Sequence, residues 1–331
     1  MSNHLLEVNN LKTSFFIPAG EVKAVDDVSF TLDKGEVLGI VGESGSGKSV
    51  TAYSIMQILS KPGEIVGGSV KFDNQELVGM SEAQLRKIRG AKISIIFQDP
   101  MTSLNPVYTV GNQIDEAIKL HTNLKGDQVH KKTIEILTQV GVNDPEKRAK
   151  QYPFEFSGGM LQRVMIAMAL VCEPDILIAD EPTTALDVTI QAQIMELMRE
   201  LQKKLGMSII LITHDLGVVA DMCDKIQVMY AGKIVERGTA KEIFYNPKHE
   251  YTKGLLKSIP STQNKKKLIP IQGNPIDLLN IPKGCAFSPR CEQCMKICLE
   301  QYPAVKVFSE TQQASCWMNV FKELKGSGTV E

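Results

Sequence analysis

The chain has 331 residues, of which 43% are hydrophobic and 23% charged, and its formal net charge is −1. This balance is typical of an ordinary globular protein, and it does not predict a strongly basic surface or a nucleic-acid partner. No apolar run is long enough to span a bilayer, and the first ten residues lack a secretory pattern, so we expect a cytoplasmic location. Seven cysteines are too few for a disulfide scaffold at this length.

The N-terminal part of the chain alternates between apolar runs and turn residues. Residues 5–8, 22–32 and 37–41 have the apolar character that predicts strands. After the third of these, apolar residues recur at helical spacing and predict a helix. They are Ala52, Ile55, Met56 and Leu59.

Between that strand and that helix lies the sequence G-x-x-x-x-G-K-S, which starts at Gly42. Its glycines let the backbone turn tightly, so that successive N–H groups point at phosphate oxygens. Lys48 adds a charge that can reach the β- and γ-phosphates, and the Ser49 hydroxyl can ligate Mg²⁺. A strand, this loop and a helix in that order predict a nucleotide-binding site. The residues predicted to contact the nucleotide are Gly42, Ser44, Gly45, Gly47, Lys48, Ser49 and Val50.

The second half of the chain returns to alternating helices and strands. Residues 110–150 have helical spacing, whereas Ile176–Ala179 and Ile209–Ile212 are continuous apolar runs, as expected of parallel strands buried on both faces. Asp180 and Glu181 end the first of these runs. The first carboxylate could hold Mg²⁺ and the second could activate water; a solvated pair with no catalytic role is the alternative. The pattern predicts an α/β fold with a helical insertion.

The segment from Phe156 to Arg163 resembles the signature sequence of ATP-binding cassette ATPases. It lies between the phosphate loop and Asp180, where that family places it. The resemblance covers residues 4 to about 257, and four further positions match family motifs in the right order. These four positions are Gln98 of the Q-loop, Asp187 of the D-loop Ala185-Leu186-Asp187, the switch histidine His214, and Phe15 as the aromatic residue that stacks on adenine. For Phe15, the neighbouring Phe16 and a purely structural phenylalanine are open alternatives.

The resemblance implies a mechanism with two paired cassettes. ATP would lie between the phosphate loop of one cassette and Ser157 and Gly159 of the other. Asp180, Gln98 and Ser49 would organise Mg²⁺, while Glu181 would polarise the attacking water. His214 would contact the γ-phosphate. Phe156 and Met160 depart from the usual signature, and methionine has no hydrogen-bond donor, although the Ser-Gly-Gly core is intact.

Local sequences resemble the ATPase subunits of oligopeptide and dipeptide importers; nickel and glutathione importers share much of the pattern. The residues that carry the likeness are 98–106, 246–252 and 284–291. This resemblance implies two membrane-spanning permease subunits, an extracellular binding protein that acts indirectly, and a peripheral position on the cytoplasmic face of the membrane. The rival hypothesis is a regulatory ATPase whose tail senses redox state or binds nucleic acid.

The C-terminal region holds five of the seven cysteines. Cys285, Cys291, Cys298 and Cys316 match the tail cysteines of the importer family, some members of which bind a [4Fe–4S] cluster. A zinc site with four cysteines and a small domain of reduced cysteines stay open as alternatives, and Cys294 makes the choice of ligands ambiguous. The lysine run at 265–267 is typical of a solvated linker.

These features together predict an ATP-binding cassette fold. We expect a RecA-like core with an antiparallel β subdomain over residues 1–257, a helical insertion at about 100–157, and a cysteine-rich tail over 258–331. Cys172 and Cys223 lie inside the expected cassette and are interpreted as small core residues.

Overall fold

The structure is a computed structural model and describes residues 4–184, 186–258 and 270–320. Ala185 of the D-loop motif and the lysine run at 265–267 therefore lie outside the described residues. Where the chain is described, none of its helices is both long enough and apolar enough to cross a bilayer.

The strands in the described part of the chain are, in order, β1 (Leu6–Ile17), β2 (Gly20–Leu32), β3 (Val37–Val41), β4 (Gly63–Phe72), β5 (Gln75–Glu76), β6 (Ile93–Ile96), β7 (Ile176–Asp180), β8 (Ser208–Thr213), β9 (Lys225–Tyr230), β10 (Lys233–Thr239), β11 (Lys306–Val307) and β12 (Gln313–Ala314).

The α-helices of the same residues are α1 (Lys48–Ile55), α2 (Glu82–Leu85), α3 (Pro100–Ser103), α4 (Val110–His121), α5 (Asp127–Gln139), α6 (Pro145–Arg148), α7 (Gly158–Leu170), α8 (Val188–Leu205), α9 (Leu216–Met222), α10 (Ala240–Tyr245), α11 (Glu250–Lys257) and α12 (Lys296–Glu300).

The chain divides into two compact units. The first contains Leu32–Val37 and Gly79–Ile212, and its core is the parallel run β6-β7-β8. Every residue of β7 is buried, which explains its continuous apolar sequence. The helical pattern predicted over residues 110–150 is present as α4, α5 and α6, and the Thr109 side chain caps the first of them.

The second unit contains Leu6–Thr31, Leu38–Val78 and the described residues from Thr213 onward. It holds the predicted antiparallel subdomain, a four-stranded sheet in the order β2-β1-β4-β5. In the same unit β3 pairs in parallel with β9, and β10 runs antiparallel to β9. The tail strand β12 pairs with β10, so this part of the C-terminal region extends the run β3-β9-β10.

The prediction that Leu59 belongs to the helix after the phosphate loop was wrong. Helix α1 ends at Ile55, with Met56 as its C-cap. Gln57 follows with φ 54°, a left-handed conformation that stops the helical hydrogen-bond pattern. Ala52, Ile55 and Met56 are buried as predicted, and Leu59 is half-buried beyond the end of the helix.

Candidate functional site

The backbone of the phosphate loop requires glycine at two positions, Gly42 and Gly47. A Cβ atom on Gly42 would lie 2.3 Å from the carbonyl oxygen of Met229. Gly47 has φ 102°, and a Cβ there would lie 2.3 Å from the carbonyl oxygen of Ala24. Side chains at these two positions would force the surrounding backbone to move, so the glycine spacing of the motif follows from close packing as well as from turn geometry.

Polar groups of the loop are arranged as an anion site requires. Lys48 is 5% exposed, and its Nζ donates to the carbonyl oxygens of Gly42 and Glu43 at 2.8 and 2.9 Å. The Ser46 hydroxyl is buried with no hydrogen-bond partner among the described residues. A buried ammonium group and a buried hydroxyl at the start of α1 fit a phosphate, which would accept hydrogen bonds from both.

Glu43 lies in the middle of an interaction network that the sequence did not predict. Its carboxylate accepts hydrogen bonds from both terminal nitrogens of Arg290, at 2.5 and 3.0 Å. Its backbone N–H donates to the Tyr251 hydroxyl at 2.8 Å. Arg290 belongs to the segment 284–291, which already stood out as resembling the importer family, so a signal existed, although nothing in the sequence connected it with residue 43.

The paired carboxylates end β7 in the first unit. Asp180 is fully buried, and Glu181 follows it with φ 47°, a left-handed conformation that is strained for a residue with a side chain. The N–H of Glu181 donates to the carbonyl oxygen of Ile212 at 2.8 Å. Its Oε2 accepts hydrogen bonds from Gln98 Nε2 at 3.0 Å and from Thr184 Oγ1 at 2.9 Å. The structure thus brings together two residues predicted from separate motifs.

The signature sequence begins α7 in the same unit. Ser157 is the N-cap of this 13-residue helix, is exposed, and does not cap it through its hydroxyl. A Cβ on Gly159 would lie 2.9 Å from Ile190 Cγ2, so the helix N-terminus is closely packed on α8. Asp187 caps α8 by accepting the N–H of Ile190 at 3.0 Å. Met160 is half-buried, and Phe156 is buried, in keeping with the apolar character of that position.

The last two predicted nucleotide residues are in the second unit with the phosphate loop. His214 is exposed at the end of β8, where Thr213 Oγ1 accepts the N–H of Asp215 and helps to begin α9. Phe15 is half-buried in β1 opposite Gly63 of β4, and a Cβ on that glycine would lie 2.7 Å from the Phe15 ring. Phe16 is 50% exposed. Both phenylalanines therefore stay candidates for the adenine contact.

Comparison with known proteins agrees with this geometry. Residues 25–184 match the family model described as ABC transporter, and residues 235–298 match the oligopeptide/dipeptide transporter C-terminal region. The dipeptide transport ATP-binding protein DppD of Bacillus subtilis is 54% identical over 95% of this chain and 94% of its own. The chain belongs to the ABC transporter family. The oligopeptide transport ATP-binding protein OppD of Salmonella typhimurium is 51% identical over 96% of this chain and 95% of its own.

Solved structures of ABC cassettes share the fold. The post-hydrolysis dimer of the cassette MJ0796, bound to ADP and phosphate, has a TM-score of 0.65 and 27% identity, and the match covers 71% of this chain and 98% of that one. The cbiO1 subunit of the cbiONQ ABC transporter complex from Clostridium perfringens has a TM-score of 0.63 and 31% identity, over 74% of this chain and 92% of its own. These similarities confirm the cassette fold predicted from the sequence.

The C-terminal region of this ABC protein gathers its cysteines around one cavity. Cys285, Cys291, Cys298 and Cys316 line it together, whereas Cys294 is exposed. Burial raises the pKa of Cys285 to about 12 and that of Cys291 to about 11, which keeps both as neutral thiols. In the described ranges, no three His, Cys, Asp or Glu side chains are placed so that they could hold a metal ion. Cys223 is buried, as predicted, and Cys172 is half-buried.

Proposed function

We propose that this chain is the ATP-hydrolysing subunit of a transporter that imports oligopeptides or dipeptides. The main support for ATP hydrolysis is the hydrogen bond between Gln98 and Glu181, next to the buried Asp180. The support for peptide import is that the chain is about half identical to peptide transport ATP-binding proteins along nearly its whole length. The proposed domains are a cassette over residues 1–257 with a helical insertion at about 100–157, and a tail over 258–331. The match to residues 25–184 lies inside the proposed cassette, and helices α4, α5 and α6 lie inside the proposed insertion.

The proposed reaction is attack of water on the γ-phosphate of ATP, which yields ADP and phosphate. Gly42, Ser44, Gly45, Gly47, Lys48, Ser49 and Val50 form the loop that binds the phosphates, and Phe15 stacks on the adenine. Ser49, Asp180 and Gln98 are the residues that would hold Mg²⁺, which when bound neutralises charge on the β- and γ-phosphates. Glu181 polarises the water, and His214 contacts the γ-phosphate.

The proposal includes a second cassette, identical or paralogous. Ser157 and Gly159 would act on the nucleotide of that partner, and their position at the exposed N-terminus of α7 supports this because helix N-termini favour anions. Asp187 begins the next helix, α8, and would complete the contact with the partner.

An exposed apolar surface supports docking to two membrane-spanning permease subunits. Around the Q-loop, Phe97, Met101, Val107 and Tyr108 are 38%, 68%, 71% and 55% exposed. Large exposed apolar side chains grouped within residues 97–108 favour an interaction surface. It would place the chain at the cytoplasmic face of the membrane as a peripheral subunit, and the extracellular binding protein would act on it through the permeases.

Copurification tests the proposed assembly. We expect mild detergent extraction to recover the tagged chain with two multispanning membrane proteins and a second cassette. Met101→Glu should reduce this recovery, whereas Lys296→Glu, on the exposed side of the tail helix α12, should not. Recovery of the chain alone together with salt-sensitive nucleic-acid binding would instead support the regulatory ATPase.

We propose that the tail binds a [4Fe–4S] cluster. The grounds are that cysteine thiolates are the ligands of such clusters and that Cys285, Cys291, Cys298 and Cys316 line one cavity. As arranged, these thiols do not form a ligating group among the described residues. A cluster would need them to approach one another and lose their protons. No step of the proposed mechanism passes through the tail.

A further inference from the structure

Three groups hold Glu43, the second residue of the phosphate loop, from three directions. Its carboxylate accepts two hydrogen bonds from Arg290, its N–H donates to Tyr251, and its carbonyl oxygen accepts from Lys48. All of these residues belong to the second unit. Two of the three holding groups come from the C-terminal part of the chain, more than 200 residues from the loop.

The Arg290 side chain is itself firmly held. It is 5% exposed, compared with 24% for Glu43, and its Nε donates to the carbonyl oxygen of Gln272 at 3.0 Å. A bidentate guanidinium–carboxylate pair fixes direction as well as distance, because two parallel hydrogen bonds define a plane. Since the pair is largely removed from water, separating its members would leave a poorly solvated charge on each side.

Aromatic packing fixes the segment that carries Arg290. Phe287 is buried, and its ring lies 5.3 Å from the ring of Tyr251 and 5.4 Å from that of Tyr230. The same Tyr251 accepts the N–H of Glu43 through its hydroxyl. Cys285 and Cys291 stand at the two ends of this segment, and both line the cysteine cavity. The tail is thus joined to the loop by an ion pair and by an aromatic cluster.

We propose that Arg290 is a positioning residue for the phosphate loop. By holding the Glu43 carboxylate it sets the conformation of the loop before the nucleotide arrives, and it does so from the tail. The inference rests on the proposed nucleotide site. A binding loop that is already ordered loses less conformational entropy on binding, so the ion pair raises affinity for ATP without touching it.

A double-mutant cycle on the full-length chain tests the inference. The variants are Arg290→Met, Glu43→Gln and their combination, and the readout is the Kd for Mg·ATP together with thermal unfolding. We expect each single variant to weaken binding up to about tenfold, the order of the cost of ordering a loop side chain on binding. The double variant should bind about as tightly as the single variant with the higher Kd, because both single changes break the same pair. Arg290→Lys keeps the charge but not the planar pair, so its Kd should lie between those of wild type and Arg290→Met.

Lys296→Met is the matched control, because it removes an exposed cation from the same tail and should leave Kd within about twofold of wild type. Folded Arg290→Met that binds Mg·ATP like wild type would overturn the inference. If Arg290→Met does not fold, the Kd of Glu43→Gln for Mg·ATP is the test. A wild-type Kd in Glu43→Gln would contradict the positioning role of Arg290. If Lys48→Ala binds Mg·ATP as well as wild type, the proposed nucleotide site fails and the inference fails with it.

Discussion

Gln98 Nε2 donates a hydrogen bond to Glu181 Oε2 at 3.0 Å, and this bond joins two motifs 83 residues apart in sequence. Thr184 Oγ1 donates to the same oxygen at 2.9 Å, so two donors fix the direction of the carboxylate. The left-handed backbone at Glu181 adds a further constraint, because it turns the chain sharply at the end of β7. Strain of this kind recurs where a catalytic side chain must be presented in one orientation.

Glu181→Gln should abolish turnover and leave ATP binding intact. The amide has nearly the shape of the carboxylate, but it cannot accept a proton from the attacking water. Loss of a general base costs about 10²- to 10⁴-fold in rate. The check is steady-state phosphate release beside Kd for Mg·ATP. Retained turnover would refute the role assigned to Glu181.

Gly47→Ala should destabilise the second unit. The new Cβ would lie 2.3 Å from a backbone carbonyl oxygen at a residue with φ 102°, so backbone must move, and we expect a loss of about 2–4 kcal/mol in the free energy of unfolding. Gly45→Ala is the control, because Gly45 lies in the same unit and has φ 77° with open space around the Cβ, and it should lose only about 1–2 kcal/mol. Equal losses in urea unfolding of the two variants would contradict the packing argument.

Much of the fold could be predicted because its signals are local. The continuous apolar runs of β7 and β8 indicated buried strands, and the glycine and lysine spacing predicted a tightly turning phosphate loop, whose close packing at Gly42 and Gly47 the structure shows. Leu59 was misplaced because helical spacing does not reveal that Gln57 turns left-handed. The contact between Glu43 and Arg290 could not be predicted, because two charged residues 247 positions apart have no spacing relationship, and only the folding of the tail against the phosphate loop within the second unit brings them together.

His249 should make the protein less stable as the pH falls. Burial lowers its pKa to about 4, and its Nδ1 accepts the N–H of Tyr251. In the unfolded chain the pKa is near 6.5, so between pH 6.5 and 4 the unfolded state binds more protons and the folded state loses stability. The contribution of the neutral His249 side chain to the free energy of unfolding is fully present above pH 6.5, and about 3 kcal/mol of it is lost by pH 4.

His249→Asn isolates this effect, because asparagine can still cap α11 but does not titrate. The comparison with this variant is needed because of the nearby Glu236, whose carboxylate accepts the backbone N–H of His249. Burial raises the pKa of Glu236, and this shift makes the folded protein more stable as the pH falls, opposite to the effect of His249. We expect the stability difference between wild type and variant in urea unfolding to shrink or reverse from pH 7 to pH 4.5. A difference that is independent of pH would contradict the assignment.

The content of the cysteine cavity can be measured directly. On protein purified without oxygen, the predicted cluster would give about four irons and four acid-labile sulfides per chain. Cys298→Ser should remove them, whereas Cys172→Ser, in the first unit, should not. Zinc alone would make the tail a structural metal site, and absence of both metals would reduce it to a small domain of packed thiols.

Peptide import is tested most directly by ATP-driven uptake of labelled dipeptides and oligopeptides in cells that have no other peptide importer. We expect Glu181→Gln, expressed at the wild-type level, to abolish peptide uptake and to leave nickel and glutathione uptake unchanged. Unchanged peptide uptake in the variant would show that this chain does not power peptide import, and loss of nickel or glutathione uptake instead would reassign the transported substrate.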